Sequence, residues 1–187
     1  MQNISKETII KAAGGDIEAF EDIYKVFSGY VYAIAYRVLG NKEDAEEVSQ
    51  DVFVKIYRNL HKFNFRSALK TWIYRITTNV AINMYKKTIK HKKRNVEYDD
   101  TIFSEKNKGS KVEKIEIEDK ERTIKKMLEI LPVDQKMCIV LKDIEGLSYE
   151  EISKALGVKL NTVRTRLKRA REKLIFRFRT RRDLYEV

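Results

Sequence analysis

The 187-residue chain is poor in the residues on which several protein classes depend. It holds one cysteine, Cys138, which excludes an internal disulfide framework and a cysteine-based zinc site. Its two histidines, His61 and His91, are isolated, read as surface residues, and offer neither a His-rich metal site nor a Ser-His-Asp relay. One proline and seven glycines leave long stretches without a helix breaker. No apolar run approaches the roughly 18 residues of a membrane span. No secretory h-region follows Met1. The expectation is a soluble, cytoplasmic protein with no cofactor and no metal.

What the chain has is charge, helical periodicity and enough apolar residues, 43%, to build real cores. The length suits one ordinary domain or two small ones. Lys and Arg number 39 against 28 Asp and Glu, a net charge of +11. The excess is concentrated. Residues 159–182 carry eleven bases and one acid, Glu172, and Lys86 to Arg94 carries six bases and no acid. Such blocks are the electrostatic footprint of a nucleic-acid binder, although a solvated cationic face or a helix on anionic lipid has the same composition.

From Asp16 to Lys87 the pattern is helical. Asp16 can cap a helix with Phe20, Ile23, Phe27, Val31, Ile34, Ala35 and Val38 inside, stopped at Gly40-Asn41. A second helix from about Glu43 buries Ala45, Val48, Val52, Phe53, Ile56 and Leu60. A third, from about Leu69, presents Trp72, Ile73, Ile76, Val80 and Met84 as its stripe. Residues 95–118 lose this periodicity, carry seven acids and four bases, and read as a linker. The division expected is therefore 1–94, a linker at 95–118, and 119–187, an all-α fold of two small helical domains.

In the second half, Ile124, Met127, Leu128 and Leu131 form one stripe, ended by Pro132. Met137, Val140, Leu141 and Ile144 form the next, closed by Gly146, with Cys138 beside it as a buried filler. Ser148-Tyr149-Glu150-Glu151 is a capping box. Gly157 then separates a short helix from a strongly basic one, whose inner face is Leu160, Val163, Leu167, Ala170 and Leu174. Ile152, Leu156, Val158 and Val163 are placed to hold the pair together, with Ser153 small enough to let them cross.

That arrangement is a DNA-reading helix-turn-helix. Its exposed face shows Asn161, Thr162, Arg164, Thr165, Arg166, Lys168 and Arg169. Arg takes guanine bidentately, Asn takes adenine, and a Thr methyl packs on that of thymine. The remaining cations hold phosphates and fix the register. Six phosphate contacts would give a slope of log K against log salt of about −5.

Two long segments carry a family resemblance. GDIEAFEDIYKVF (15–27), EDAEEVSQDVFVKIYRNL (43–60) and TWIYRITTNVAINMYKK (71–87) resemble region 2 of bacterial RNA polymerase sigma factors. LPVDQKMCIVLKDIEGLSYEEISKALGVKLNTVRTRLKRAREKL (131–174) resembles region 4. The linker is too short for an intervening region 3, which points to the extracytoplasmic-function group.

The resemblance implies a non-enzymatic subunit whose partners are core RNA polymerase, promoter DNA and an anti-sigma factor that can hold it at the membrane face. Region 4 would read the −35 element. Region 2 would dock on the polymerase clamp through Asp44, Glu47, Gln50, Asp51 and Lys55. It would also capture the opened −10 element with Phe63, Phe65, Trp72 and Tyr74 as stacking residues. Asn79 and Asn83 would be its polar readers, and Arg75, Lys86 and Lys87 would meet phosphate.

The family's capture loop commonly reads Phe-Arg-Gly-Asp/Glu-Ser. Here it is Phe63-Asn64-Phe65-Arg66-Ser67, without the glycine or the acid. The linker spans at most about 80 Å extended, and about 27 Å as a coil. Promoter elements one and a half duplex turns apart, at about 35 Å per turn, demand that it be drawn out across the polymerase.

Two other readings compete at this stage. A stand-alone helix-turn-helix repressor or activator would bind duplex tightly without polymerase, usually at a palindrome. A DNA-cleaving enzyme would use Asp44, Glu47 and Asp51 as a metal cluster, but no histidine or Gly-rich loop accompanies them.

Overall fold

A computed structural model describes residues 4–95 and 122–182, with side chains placed for 4–91 and 122–177. Most of the expected linker, the side chains of Lys92, Lys93 and Arg94, and the last residues of the basic tail lie outside the described residues. Those described form helices, turns and loops, with no strand among them.

The first helix, α1 (Lys6–Ala13), is one the periodicity argument passes over. The Ser5 hydroxyl accepts the Thr8 N–H at 3.0 Å, and Ile9 and Ala12 are buried. In α2 (Ile17–Leu39), the Asp16 carboxylate accepts the Ala19 N–H, as expected of an N-cap. The helix stops at Gly40, whose φ of +80° lets its N–H donate back to the Tyr36 carbonyl.

Asn41 and Asp44 then cap α3 (Lys42–Asn59) reciprocally. The expected stripes of α2 and α3 pack against each other, with Ile23, Val31, Ile34, Val48, Val52 and Ile56 fully buried. Each such side chain contributes about 1.5–3 kcal/mol on leaving water. A short 3-10 turn, Leu60–Lys62, and a loop lead to α4 (Leu69–Asn95).

The stripe expected on α4 is only partly the buried one. Leu69 and Ile73 are buried, but Trp72, Ile76, Val80 and Met84 are half-buried. The buried set is Leu69, Thr71, Ile73, Tyr74, Thr77, Thr78 and Ala81. The reason is that α4 is covered on two sides, by α2 and α3 on one and by the second half of the chain on the other. Polar side chains survive there because they are satisfied: Thr77 Oγ1 donates to the Ile73 carbonyl and Thr78 Oγ1 to those of Arg75 and Ala155.

The second half comprises α5 (122–129), α6 (Val133–Ile139) running into a π-turn at Val140–Ile144, α7 (Tyr149–Leu156) and α8 (Leu160–Arg182). Of the stripe expected on α5, Leu128 and Leu131 are buried, Met127 is half-buried and Ile124 is exposed. Met137, Val140 and Leu141 are fully buried, and Ile144 is half-buried.

The two halves share one apolar core. Polar contacts among the described residues cross between them. Arg37 Nη1 donates to Glu145 Oε1 at 2.9 Å, and the Tyr74 hydroxyl donates to Glu145 Oε2 at 3.1 Å. Thr78 reaches Ala155, and the Lys136 ammonium donates to the Val38 carbonyl at 3.2 Å. Lys136 is only 4% exposed and lies over the Tyr85 ring, and burial pushes its pKa down.

Candidate nucleic-acid interface

The helix-turn-helix has the local geometry its sequence predicts. Ser148 Oγ accepts the Glu151 N–H at 3.1 Å and the Glu151 carboxylate accepts the Ser148 N–H at 2.8 Å. That bond holds the Glu151 pKa below the ordinary carboxylate value. Gly157, at φ +64°, makes the turn. Ser153 is more than a small residue: its hydroxyl donates to the Val158 carbonyl at 2.6 Å and clamps that turn. Ile152 and Val163 are fully buried between the helices, with Leu156 and Val158 half-buried.

Asn161, Arg164, Thr165, Lys168 and Arg169 are exposed on one side of α8. Arg164 Nη1 donates to Asn161 Oδ1 at 3.1 Å, and Thr165 Oγ1 donates to the Asn161 carbonyl at 2.9 Å. Thr162 is half-buried. So is Arg166, which faces α6 and pairs with Asp134 at 3.4 Å. Buried beneath it, the Cys138 thiol has its pKa pushed up to about 11 by desolvation.

On α4, Arg75, Asn79, Asn83, Lys86 and Lys87 are all exposed, spaced along one side of the helix. Phe65, Phe63 and Trp72 form a ladder beside its start, with ring centroids 4.9 Å apart for the first pair and 5.4 Å for the second. Phe63 is buried, Trp72 half-buried and Phe65 exposed. Tyr74 does not belong with them. It is completely buried and its hydroxyl is committed to Glu145, so its ring offers no face to a base. Burial, then the Glu145 charge, pushes its pKa up.

A crevice of about 210 Å3 separates the α4 side chains Asn79, Asn83 and Lys86 from Asp134, Val158 and Arg166. Of the residues expected to meet DNA, Asn79, Asn83 and Lys86 thus share one cleft with Arg166.

Glu47, Gln50, Asp51 and Lys55 are exposed on α3. Asp44 is half-buried and engaged in the Asn41 cap. The same helix exposes Val54 and Tyr57, each 46% accessible, which the polar-face argument omits. Their signal was available: Val54 falls out of phase with the buried series Ala45, Val48, Val52 and Ile56.

Among the described residues no cluster of three or more His, Cys, Asp or Glu side chains could hold a metal. No described helix is long and apolar enough to cross a membrane. His61 and His91 are exposed.

Comparison with known proteins agrees with this geometry. The family model Sigma-70 region 2 matches residues 23–90, and Sigma-70, region 4, matches residues 121–174. The chain is 31% identical over 183 residues to the ECF RNA polymerase sigma factor SigW of Bacillus subtilis, covering 93% of this chain and 96% of that protein. It is 33% identical over 167 residues to the ECF RNA polymerase sigma-E factor of Escherichia coli K12, covering 84% and 85%.

Among solved structures, CnrH in complex with the cytosolic domain of CnrY superposes with a TM-score of 0.69 at 23% identity, covering 95% of this chain and 99% of that one. The sigma factor RpoE in complex with the anti-sigma factor NepR from Bartonella quintana gives 0.64 at 25%, covering 84% and 95%. With two family models in order and relatives matched over nearly their whole length, the chain belongs to the ECF sigma factors of RNA polymerase.

Proposed function

We propose that this promoter-specificity subunit divides its work between residues 1–94 and 119–187, joined by the linker 95–118. The exposed side of α8 reads the −35 element, and α4 with the aromatic ladder captures the opened −10 element. The observation that carries this is the pair of exposed polar faces on one chain, one on a helix-turn-helix and one beside the exposed Phe65 ring and its two neighbours. Asn161, Arg164 and Thr165 supply groove readout, with Thr162 and Arg166 behind them and Lys168 and Arg169 on phosphate. Asn79 and Asn83 read unpaired bases, and Arg75, Lys86 and Lys87 take the backbone. Glu47, Gln50, Asp51 and Lys55 dock on core polymerase, with Val54 and Tyr57 adding apolar contact.

Magnitudes favour an obligatory partner. Opening four to five base-pair steps costs about 6–7 kcal/mol at about 1.4 kcal/mol each. Stacking returns about 1–3 kcal/mol per base, and only once the strand is free. The cleft adds a second reason. Asn79, Asn83 and Lys86 look toward Arg166, which already pairs with Asp134. The free protein therefore binds duplex weakly, and docking on polymerase draws the two halves apart.

An anti-sigma factor that stabilises the closed arrangement fits the same logic, since RpoE of Bartonella quintana is bound by one. Its place of work is the cytoplasm, where core polymerase is.

Transcription of sheared genomic DNA by core polymerase, with and without the protein, tests the reading. Sequenced transcript starts should share two upstream elements and disappear without the protein. Tight duplex binding by the protein alone, with no new starts, would favour the stand-alone regulator instead.

A further inference from the structure

Helix α8 outruns its own packing. Among its described residues the inward series closes with Ala170, buried, and Leu174, half-buried, yet the helix continues to Arg182. Residues 175–182 extend it by about 12 Å at 1.5 Å per residue. At the root of this arm Ile175 is 53% and Phe176 73% exposed. Two adjacent bulky apolar side chains there contribute little burial to the fold. The proposed groove residues end at Arg169, about 10 Å earlier along the helix, and give them no task.

The pair is set in a cationic stretch. Residues 171–182 carry six bases and one acid, Glu172, a net charge of +5. That acid already faces Lys168 at 3.9 Å, and Arg171 is engaged by Asp143 at 2.7 Å. Lys173 and Arg177 flank the apolar pair in the chain, and both are exposed. In the sequence, Phe178 then follows between Arg177 and Arg179.

This pattern discriminates between partners. A duplex backbone is met by cations and gains nothing from Ile or Phe. A partner's groove takes anchors spaced i, i+3 or i+4, whereas Ile175 and Phe176 are consecutive and point about 100° apart. An anionic bilayer surface accepts both kinds of residue. Its phosphates meet the charged heads of Lys and Arg, while the aromatic and aliphatic groups enter the boundary with the acyl chains. Clusters of about four to eight bases on a helix favour such surfaces.

We infer that the end of α8 is an arm for anionic phospholipid, with Ile175 and Phe176 as apolar anchors and Lys173 and Arg177 on headgroups. No described helix is long and apolar enough to cross a bilayer, so the attachment is peripheral. Two side chains bury less apolar surface than one acyl chain, which makes it reversible.

Flotation of the full-length protein with vesicles tests this. Vesicles of about one part phosphatidylglycerol to three parts phosphatidylethanolamine should carry wild type up, and phosphatidylcholine vesicles should not. The double variant Ile175→Ser, Phe176→Ser should bind at least tenfold more weakly. Arg177→Gln should lose about fivefold. Lys86→Gln with Lys87→Gln removes more charge, but from α4, and should bind nearly as wild type does. The arm positions are exposed, so their variants should melt with wild type and support promoter-specific transcription by holoenzyme.

No flotation of wild type, or equal flotation with neutral vesicles, overturns the inference. So does undiminished binding by the serine variant, or an equal loss in the α4 variant, since net charge alone would then be the cause. Transcription lost in the serine variant with flotation unchanged would assign the arm to polymerase or DNA instead.

Discussion

Glu145 is the residue whose removal should open the molecule. Its side chain is 7% exposed and accepts from Arg37 on α2 and from Tyr74 on α4, while the residue itself belongs to the second half. In Glu145→Ala the charged bond to Arg37 is lost, worth about 1.5–3 kcal/mol, and the Tyr74 hydroxyl is orphaned at a cost of about 1–3 kcal/mol.

Arg37 keeps 30% of its side chain accessible and can rehydrate, so about 3 kcal/mol in total is the reasonable figure. Both partners lie across the interface, so the loss falls on the association of the halves rather than on either half. It corresponds to a change of about a hundredfold in the closed-to-open ratio.

Small-angle X-ray scattering measures this directly. A fully compact chain of this length has a radius of gyration of about 16 Å. Wild type should lie nearer that value and Glu145→Ala clearly above it, with Glu145→Gln between them because it keeps an acceptor for Tyr74. Identical scattering curves for wild type and Glu145→Ala would refute the reasoning.

Other changes have defined outcomes. Ser148→Ala removes the α7 cap and should cost about 1 kcal/mol by urea denaturation. The Glu151 carboxyl is held below its unfolded value by that capping box. Its stabilising share is present above about pH 4.5 and is lost as pH falls through the depressed folded value, a dependence Ser148→Ala should flatten. Cys138, with its pKa near 11 and no exposure, should resist a thiol-specific dye at pH 8 until denaturant is added, and rapid native labelling would contradict its burial. Lys136→Met should be neutral or stabilising, since a desolvated ammonium between the Val38 carbonyl and the Tyr85 ring is exchanged for an apolar chain of similar length whose sulfur can keep the ring contact. Because the folded pKa of Lys136 lies below its unfolded value, wild-type stability should rise relative to that variant as pH climbs toward about 10.5.

Much of this was legible in the sequence because local rules governed it. Asp16, Gly40, Ser148, Glu151 and Gly157 act on neighbours within a few residues, and the stripes of α2 and α3 meet one surface each. Tyr74 escaped because its partner is 71 residues away, and Glu145 because Arg37 is 108 residues away. Two-sided cover likewise explains Thr77 and Thr78: helical periodicity marks one apolar side and is blind to threonines that satisfy themselves on backbone carbonyls. Helix α1 also carries local signals, a cap at Ser5 and a buried position at Ile9, but at eight residues it is too short for a strong periodic stripe. At Phe65 the sequence showed a missing glycine; only the backbone showed that the glycine-like conformation is kept.

Docking on polymerase through the exposed side of α3 is the proposed step on which the rest depends. Gel filtration of the purified protein with bacterial core RNA polymerase, beside Asp51→Arg, tests it most directly. Co-elution of wild type, lost in Asp51→Arg while that variant keeps its helical circular dichroism, is the expected result. Failure of wild type to co-elute would contradict the account, and co-elution undiminished in Asp51→Arg would contradict the α3 docking face.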